Sequence, residues 1–337
     1  MLFFINYPAW LKPEIFPGFP VRWYGLMYIV AFSIAYLLVK RQIKEKNLKM
    51  TDETLSSLFF PGILGILLGA RMFYALVYDK SGANPLLMFW PFDSKFNFTG
   101  LQGMSYHGGL IGGFIAVAVF CKRKKIDLLG TGDLIAVAIP AGYTFGRLGN
   151  FANGELFGRV TASPLGMIFN DAAPFYIRES WVAEIAEKAG IDLSSISAYV
   201  NLPRHPSQLY EALFEGIILW AFLWFFMRKR NLPKGALIGA YIAGYGFVRF
   251  FIEYFREPDH KIGFIIKLSS KPSYTYRLDS FFNFTMGQLL CFLMITCGLL
   301  FILYTYKRQA RELVKLNSEK QKDSSKKHFR PRRKKRK

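Results

Sequence analysis

Long apolar runs alternate along the chain with short, strongly charged connections. Seven runs reach the roughly 20 residues that a helix needs to cross a hydrocarbon core. They cover approximately residues 22–41, 55–78, 105–121, 133–150, 208–227, 235–256 and 284–306. The pattern predicts an all-α polytopic membrane protein with seven transmembrane helices. The connections sort by charge: residues 40–49 hold five Lys/Arg, 122–125 four, 228–234 four and 307–337 fifteen, so 28 of the 44 basic residues fall in every second connection. The positive-inside rule places those connections in the cytoplasm. The N-terminus is then expected outside and the C-terminus inside.

The outer connections are the long ones. Residues 151–207 form the largest polar insert, read as a small head domain with a helix expected over 180–190. The chain divides into an interfacial N-terminal segment (1–21), a membrane domain (22–306) that carries this insert, and a basic tail (307–337). The N-terminal segment lacks a basic leader and is broken by prolines, which argues against a cleaved signal peptide. Aromatic residues at the outer ends of the runs (Trp23, Tyr24, Phe89, Trp90) match interfacial anchors.

Composition sharpens this picture. Hydrophobic residues make up 52% of the chain and Phe alone occurs 34 times among 337 residues, as expected of segments that face lipid. The net charge of +21 raises the question of nucleic acid, but +12 of it sits in the tail after the last apolar run. That placement reads as contact with anionic lipid headgroups, with no nucleic-acid partner. Cys121, Cys291 and Cys297 lie in or beside apolar runs without metal spacing, so neither a metal site nor a disulfide framework is expected. Cys291 and Cys297 read as small hydrophobes.

The chemistry lies in the polar residues embedded in the runs. With orientation fixed by loop charge alone, Tyr24, Arg71, His107, Arg147, Asn150, Asn153, Glu155, His205, Gln208, Tyr210, Glu211, Tyr245, Arg249, Glu253 and Arg256 all fall toward the outer face. Ionisable groups inside membrane spans are costly to desolvate and mark functional sites. Arg147 and Arg249 supply guanidinium forks suited to phosphate. Tyr245, Arg249 and Glu253 share one helix face, and Glu253 or Glu155 is placed to orient an arginine. Asn150 and Asn153 add neutral donors and acceptors. No Ser–His–Asp set or metal cluster is present, which leaves one imidazole, His107, beside the positive charge. Such equipment suits an anionic lipid headgroup whose phosphate leaves while an outside nucleophile attacks.

Five strings carry a resemblance: "RWYGLMY" (22–28), "SYHGGLIGG" (105–113), "GRLGNFANGELFGR" (146–159), "RHPSQLYE" (204–211) and "GYGFVRFFIEYFR" (244–256). Together, and in this order, they resemble the prolipoprotein diacylglyceryl transferases. The resemblance implies a bacterial inner-membrane enzyme with seven membrane helices and a periplasmic head. Its reaction moves the diacylglyceryl group of phosphatidylglycerol onto the lipobox cysteine thiol of a preprolipoprotein, releasing glycerol-1-phosphate and leaving a thioether. No cofactor is implied; the partners are phosphatidylglycerol and the signal peptides of preprolipoproteins. Carried over by position, the essential residues are Tyr24, His107, Arg147, Asn150, Glu155, Tyr245, Arg249 and Glu253.

On this reading Arg147 and Arg249 clamp the phosphate, with Asn150, Asn153, Glu155 and Glu253 completing the binding set. His107, linked to Tyr245 or Tyr24, is the base for the thiol; the alternative is a thiol pKa lowered by the arginines alone. Plainer readings stand beside these. His107 as a structural histidine, Asn153 as a helix cap, Arg71 as a partner for Glu253 or a helix-end carbonyl, Arg256 as a snorkelling interface residue and Glu211 as a charge partner are each expected on structural grounds alone. The glycines of "HGGLIGG" are expected to let two helices pack closely. A transporter would call for repeats and a midplane site, neither of which the chain shows. A lipid receptor would have no use for the imidazole.

Overall fold

The computed structural model describes residues 4–16, 21–78, 89, 90, 96, 103–194, 196, 198–258, 262–269 and 274–328. The chain is mostly helical, and among the described residues five helices are long and apolar enough to cross a membrane. These are α1 (Trp23–Glu45), α2 (Asp52–Phe73, continued by a wide turn to Tyr78), α4 (Leu128–Ala152), α6 (Ser207–Met227) and α8 (Met286–His328). Between them lie α3 (Tyr106–Lys124), the short α5 (Ser180–Lys188) and the 17-residue apolar α7 (Ala236–Ile252). Each of the seven expected runs overlaps one of these helices, although 253–256 lie beyond α7 and 284–285 belong to a strand pair. Among the described residues, strand structure comprises three two-stranded pairs of two to four residues per strand.

Local chemistry sets where these helices begin. Thr51 accepts from the Thr54 amide ahead of α2, whose first turn carries Asp52 and Glu53 against the positive helix end. Ser105 does the same for α3 through the Gly108 amide. The start of α7 is held from another helix. Gly235 turns at φ 93°, and buried Asp133 of α4 accepts from the amides of Gly235 (2.7 Å) and Ile238 (3.0 Å). That bond matters because α7 carries Tyr245 and Arg249.

Two helix pairs close through glycine. A Cβ added to Gly65 of α2 would lie 2.6 Å from the carbonyl oxygen of Gly112 on α3, and Gly69 and Gly108 meet in the same way one turn on. On the other side, Gly239 and Gly246 of α7 press against Gly298 and Cys291 of α8. With no hydrophobic drive between helices in lipid, such close backbone approach supplies the attraction. Gly112→Leu is expected to destabilise the protein by about 3 kcal/mol. The thermal midpoint in detergent reads this out against Gly25→Ala, where an added Cβ meets nothing within 4 Å. Equal midpoints for the two variants would contradict the close α2–α3 seam.

The helices share two apolar cores. One joins α1, α2 and α4 through Val39, Leu55, Leu58, Leu134 and Ala138; the other joins α4, α6 and α7 through Val137, Leu219, Leu223, Trp224 and Leu237. A third core lies in the insert: Val160, Trp181, Val182, Ala186, Val200 and Leu202, around α5. The N-terminal segment is stitched to this insert. Ile5–Asn6 pairs in parallel with Met167–Ile168, and the Tyr7 hydroxyl donates to the carbonyls of Phe151 and Ala152 at the end of α4.

Several expectations gain detail. Arg71 donates to the Gly103 carbonyl at 2.8 Å, just ahead of α3. The last helix runs on to His328, so the first part of the basic tail is helical; the final "RPRRKKRK" lies outside the described residues. Of the connection at 79–102, Phe89, Trp90 and Phe96 are described, and Trp90 is exposed.

Candidate active site

Helices α4, α6 and α7 meet over a cluster of ionised side chains. At its centre is Glu211, 0% exposed. One oxygen, Oε2, lies 2.7 Å from Arg147 Nε and 3.2 Å from Arg249 Nη1; the other, Oε1, faces Arg256 Nη1 at 3.4 Å. One turn further along α6, Glu215 is equally buried and lies 3.4 Å from Arg249 Nη1. Arg249 Nη2 sits 3.1 Å from Glu253 Oε2, a charge contact without hydrogen-bond alignment. Glu253 is in turn fixed by the Thr285 hydroxyl at 3.1 Å.

The local backbone explains why two acids on α6 face the same way. Residues Ala212–Ile218 wind as a wide π turn. With more residues per turn than an α-helix, it brings positions four apart closer to a single line. From α4, Tyr143 reaches the same spot: its hydroxyl donates to Glu215 Oε2 at 2.5 Å, lies 3.3 Å from Glu211 Oε2, and accepts from Arg147 Nε at 2.7 Å. Tyr143 and Arg147 are four residues apart and thus share a helix face.

A second branch leads toward the insert. Arg147 Nη1 donates to Asn150 Oδ1 (3.2 Å), and Asn150 Nδ2 donates to Glu155 Oε1 (2.9 Å). Glu155 thus acts on Arg147 through Asn150. Asn153 donates to the same Glu155 oxygen at 3.3 Å, while its backbone closes α4 on the Gly149 carbonyl. Tyr245 stacks edge-on against Tyr143 with ring centres 5.8 Å apart. Tyr24 pairs with Tyr28 hydroxyl to hydroxyl at 3.0 Å and lies within electrostatic reach of Arg147 and Glu155.

His107 stands apart from this network. It is exposed at the start of α3, packs on Tyr106 with ring centres 5.9 Å apart, and makes no hydrogen bond among the described residues. Tyr106 beside it is the α3 residue that senses the charges of Arg147 and Arg249. The second histidine, His205, is part of the joint between insert and membrane helices. Its backbone bonds Gly158 and Arg159, its ring meets Tyr210 and Phe255, and burial with the nearby Arg159 charge lowers its imidazole to about 4. It stays neutral at neutral pH and fills a structural place.

Three participants escape sequence reasoning or are given a lesser place by it. Arg256 is half-buried against Glu211 instead of only marking the interface. Tyr143 is hidden in an apolar stretch. Glu215 is the third, and its signal was present: it is a lone acid in "ALFEGIILW", four residues from Glu211, inside a run that otherwise suits lipid.

Fold and site together define a multi-pass membrane protein with arginines from two helices preset on one buried carboxylate. Residues 13–304 match the family model of the prolipoprotein diacylglyceryl transferases. Among curated proteins, the phosphatidylglycerol–prolipoprotein diacylglyceryl transferase of Treponema denticola is 50% identical over 93% of this chain and 98% of its own length. The proteins of the same name from Treponema pallidum and Chlorobaculum tepidum are 44% and 43% identical, over 90% and 89% of this chain and 97% and 92% of their own. The chain belongs to the prolipoprotein diacylglyceryl transferase family.

Proposed function

We propose that this chain transfers the diacylglyceryl group of phosphatidylglycerol to the lipobox cysteine thiol of prolipoproteins. The product is a thioether, glycerol-1-phosphate is released, and the step opens lipoprotein maturation. The observation that carries the chemistry is the convergence of Arg147 and Arg249 on one oxygen of Glu211. Two forks held in fixed relation are preorganised for a phosphate and for the charge that builds on it as the C–O bond breaks. Neither is sealed, since their side chains keep 17% and 13% of their surface exposed.

The remaining residues take their roles from position. Asn150, Asn153 and Glu155 form the wall toward the insert and hold the glycerol portion, while Glu253 and Tyr245 fix Arg249. His107, exposed and without an intramolecular hydrogen bond among the described residues, is the base open to an incoming thiol; Tyr24 lines the approach. Seven helices span the bacterial inner membrane with the N-terminus outside and the C-terminus inside. The site then opens to the periplasm, the insert acts as a head that receives signal peptides, and the basic tail rests on anionic lipid.

Purified protein, labelled phosphatidylglycerol and a lipobox peptide test the reaction directly. A thioether product is expected with the cysteine peptide and not with its serine counterpart; product with both peptides would sink the proposal. His107→Gln is expected to lower turnover by about 10²–10⁴-fold while leaving phosphatidylglycerol binding intact. If binding disappears together with turnover, His107 is part of the lipid pocket and the base lies elsewhere.

A further inference from the structure

Charge in the cluster balances before any substrate arrives. Arg147, Arg249 and Arg256 face Glu211, Glu215 and Glu253 within 3.4 Å. A phosphodiester brings one more negative charge into a site where burial makes any imbalance costly. To engage it, Arg147 and Arg249 must turn part of their hydrogen-bonding capacity from the carboxylates to the phosphate. The two acids do not share this loss equally. Glu211 retains Arg256 in addition to the two shared arginines. Among the described residues Glu215 pairs directly with Arg249, and Arg249 is already divided between Glu211 and Glu253.

Tyr143 supplies the geometry for a remedy. Its single proton serves either carboxylate: Glu215 lies 2.5 Å away and Glu211 3.3 Å away. A proton added to Glu215 reverses the first bond. Glu215 then donates to the Tyr143 oxygen, and the Tyr143 proton turns to Glu211, so that one added proton spreads over both acids. Two carboxylates within reach of one hydroxyl form the arrangement in which a single proton is held jointly. The other titratable and charged groups around Glu215 are Arg147 and Tyr143 on α4, Tyr241, Tyr245, Arg249 and Glu253 on α7, Arg256 just beyond it, Tyr106 on α3 and Cys291 on α8.

We infer that Glu211 and Glu215, bridged by Tyr143, take up one proton when the phosphodiester binds, so that headgroup binding is coupled to protonation of a buried carboxylate pair. Glu215 is thus a positioning residue: it acts through Arg249 and Tyr143 and does not touch the lipid. The step is acid–base only. Water or buffer gives a proton, a carboxylate oxygen of Glu215 receives it, and no other bond is made or broken. Because product leaves with the phosphate, the same proton is returned when the site empties.

The inference rests on the phosphate site proposed above, and calorimetry with short-chain dihexanoyl phosphatidylglycerol separates the two. The probe carries one negative charge throughout the neutral range, so any proton that moves on binding belongs to the protein. Titrations in buffers of different ionisation enthalpy count that proton. The expected results are uptake approaching one proton at alkaline pH and a dissociation constant that rises up to tenfold per pH unit. Glu215→Gln is expected to bind with no proton uptake and with an affinity that does not vary with pH. Binding without uptake by the unaltered protein would overturn the coupling while leaving the phosphate site in place. Uptake that persists in Glu215→Gln would overturn the assignment to this pair. Failure of the probe to bind at all would remove the phosphate site and the inference with it. Since the unaltered protein supplies the decisive count, a variant that does not fold leaves the test intact.

Discussion

Arg249→Ala is expected to lower kcat/KM for lipid transfer by roughly a thousandfold, the scale set by losing a preorganised donor to a developing anion. Arg249 is the hub of the cluster: it meets Glu211, Glu215 and Glu253, and no other cation there touches all three. Its removal strips the phosphate of one fork and also leaves buried acids short of positive charge. Arg249→Lys restores the charge but not the fork, so it is expected to recover binding more fully than turnover. The comparison is made as kcat and KM separately, on protein shown to be folded by its melting transition. If the alanine variant kept turnover within a few fold of normal, phosphate stabilisation by this arginine would be wrong.

The site was legible in the sequence to different depths. Loop charge alone placed Arg147 and Arg249 at a common level, and the structure joins them on one carboxylate. Such a placement needs only helix direction, which charge bias supplies. The partners that hold the arginines depend on rotation about each helix axis, and that the sequence leaves open. Glu215, four residues from Glu211, is placed on the same face of α6 by spacing alone, but that this face meets Arg249 is shown by the structure. The insert illustrates the opposite case. The amphipathic stretch "SWVAEIAEKAG" was readable as a helix, observed at Ser180–Lys188. Its attachment to the N-terminal segment through Ile5–Asn6 and Met167–Ile168 pairs residues far apart in the chain, beyond the reach of local pattern.

The fold carries the same division. Glycine spacing in "HGGLIGG" announced a close helix seam, but its partner glycines on α2, Gly65 and Gly69, were not separable from other small residues until the backbones were seen to meet. The seam matters to chemistry, because α3 sets Tyr106 and His107 relative to the arginines on α4 and α7. Asp133 illustrates the point from the far end of the bundle. It caps α7 from α4 and thereby fixes the height of Arg249.

Glu211→Ala is the second large expectation, and it concerns stability as much as rate. Buried ion pairs are weak evidence for stability in themselves, but breaking one by deleting a single partner leaves charge uncompensated. Here three guanidinium groups lose a common carboxylate, so a loss of about 3–5 kcal/mol is expected. Turnover should fall as well, because Arg147 and Arg249 repel each other once the oxygen between them is gone. Glu253→Ala provides the scale: Glu253 holds one arginine and the Thr285 hydroxyl, and its loss is expected to cost less. Unfolding midpoints of the two variants, measured in the same detergent, decide the order. A double-mutant cycle of Glu211→Ala with Arg256→Ala isolates the outermost pair. Because Arg256 lies 3.4 Å from Glu211 Oε1 and is the most exposed of the three arginines, its removal should relieve only a part of the Glu211→Ala penalty. Were Glu211→Ala as stable as the unaltered protein, the arginines would have to hold their positions without it, and the preset clamp would need another anchor.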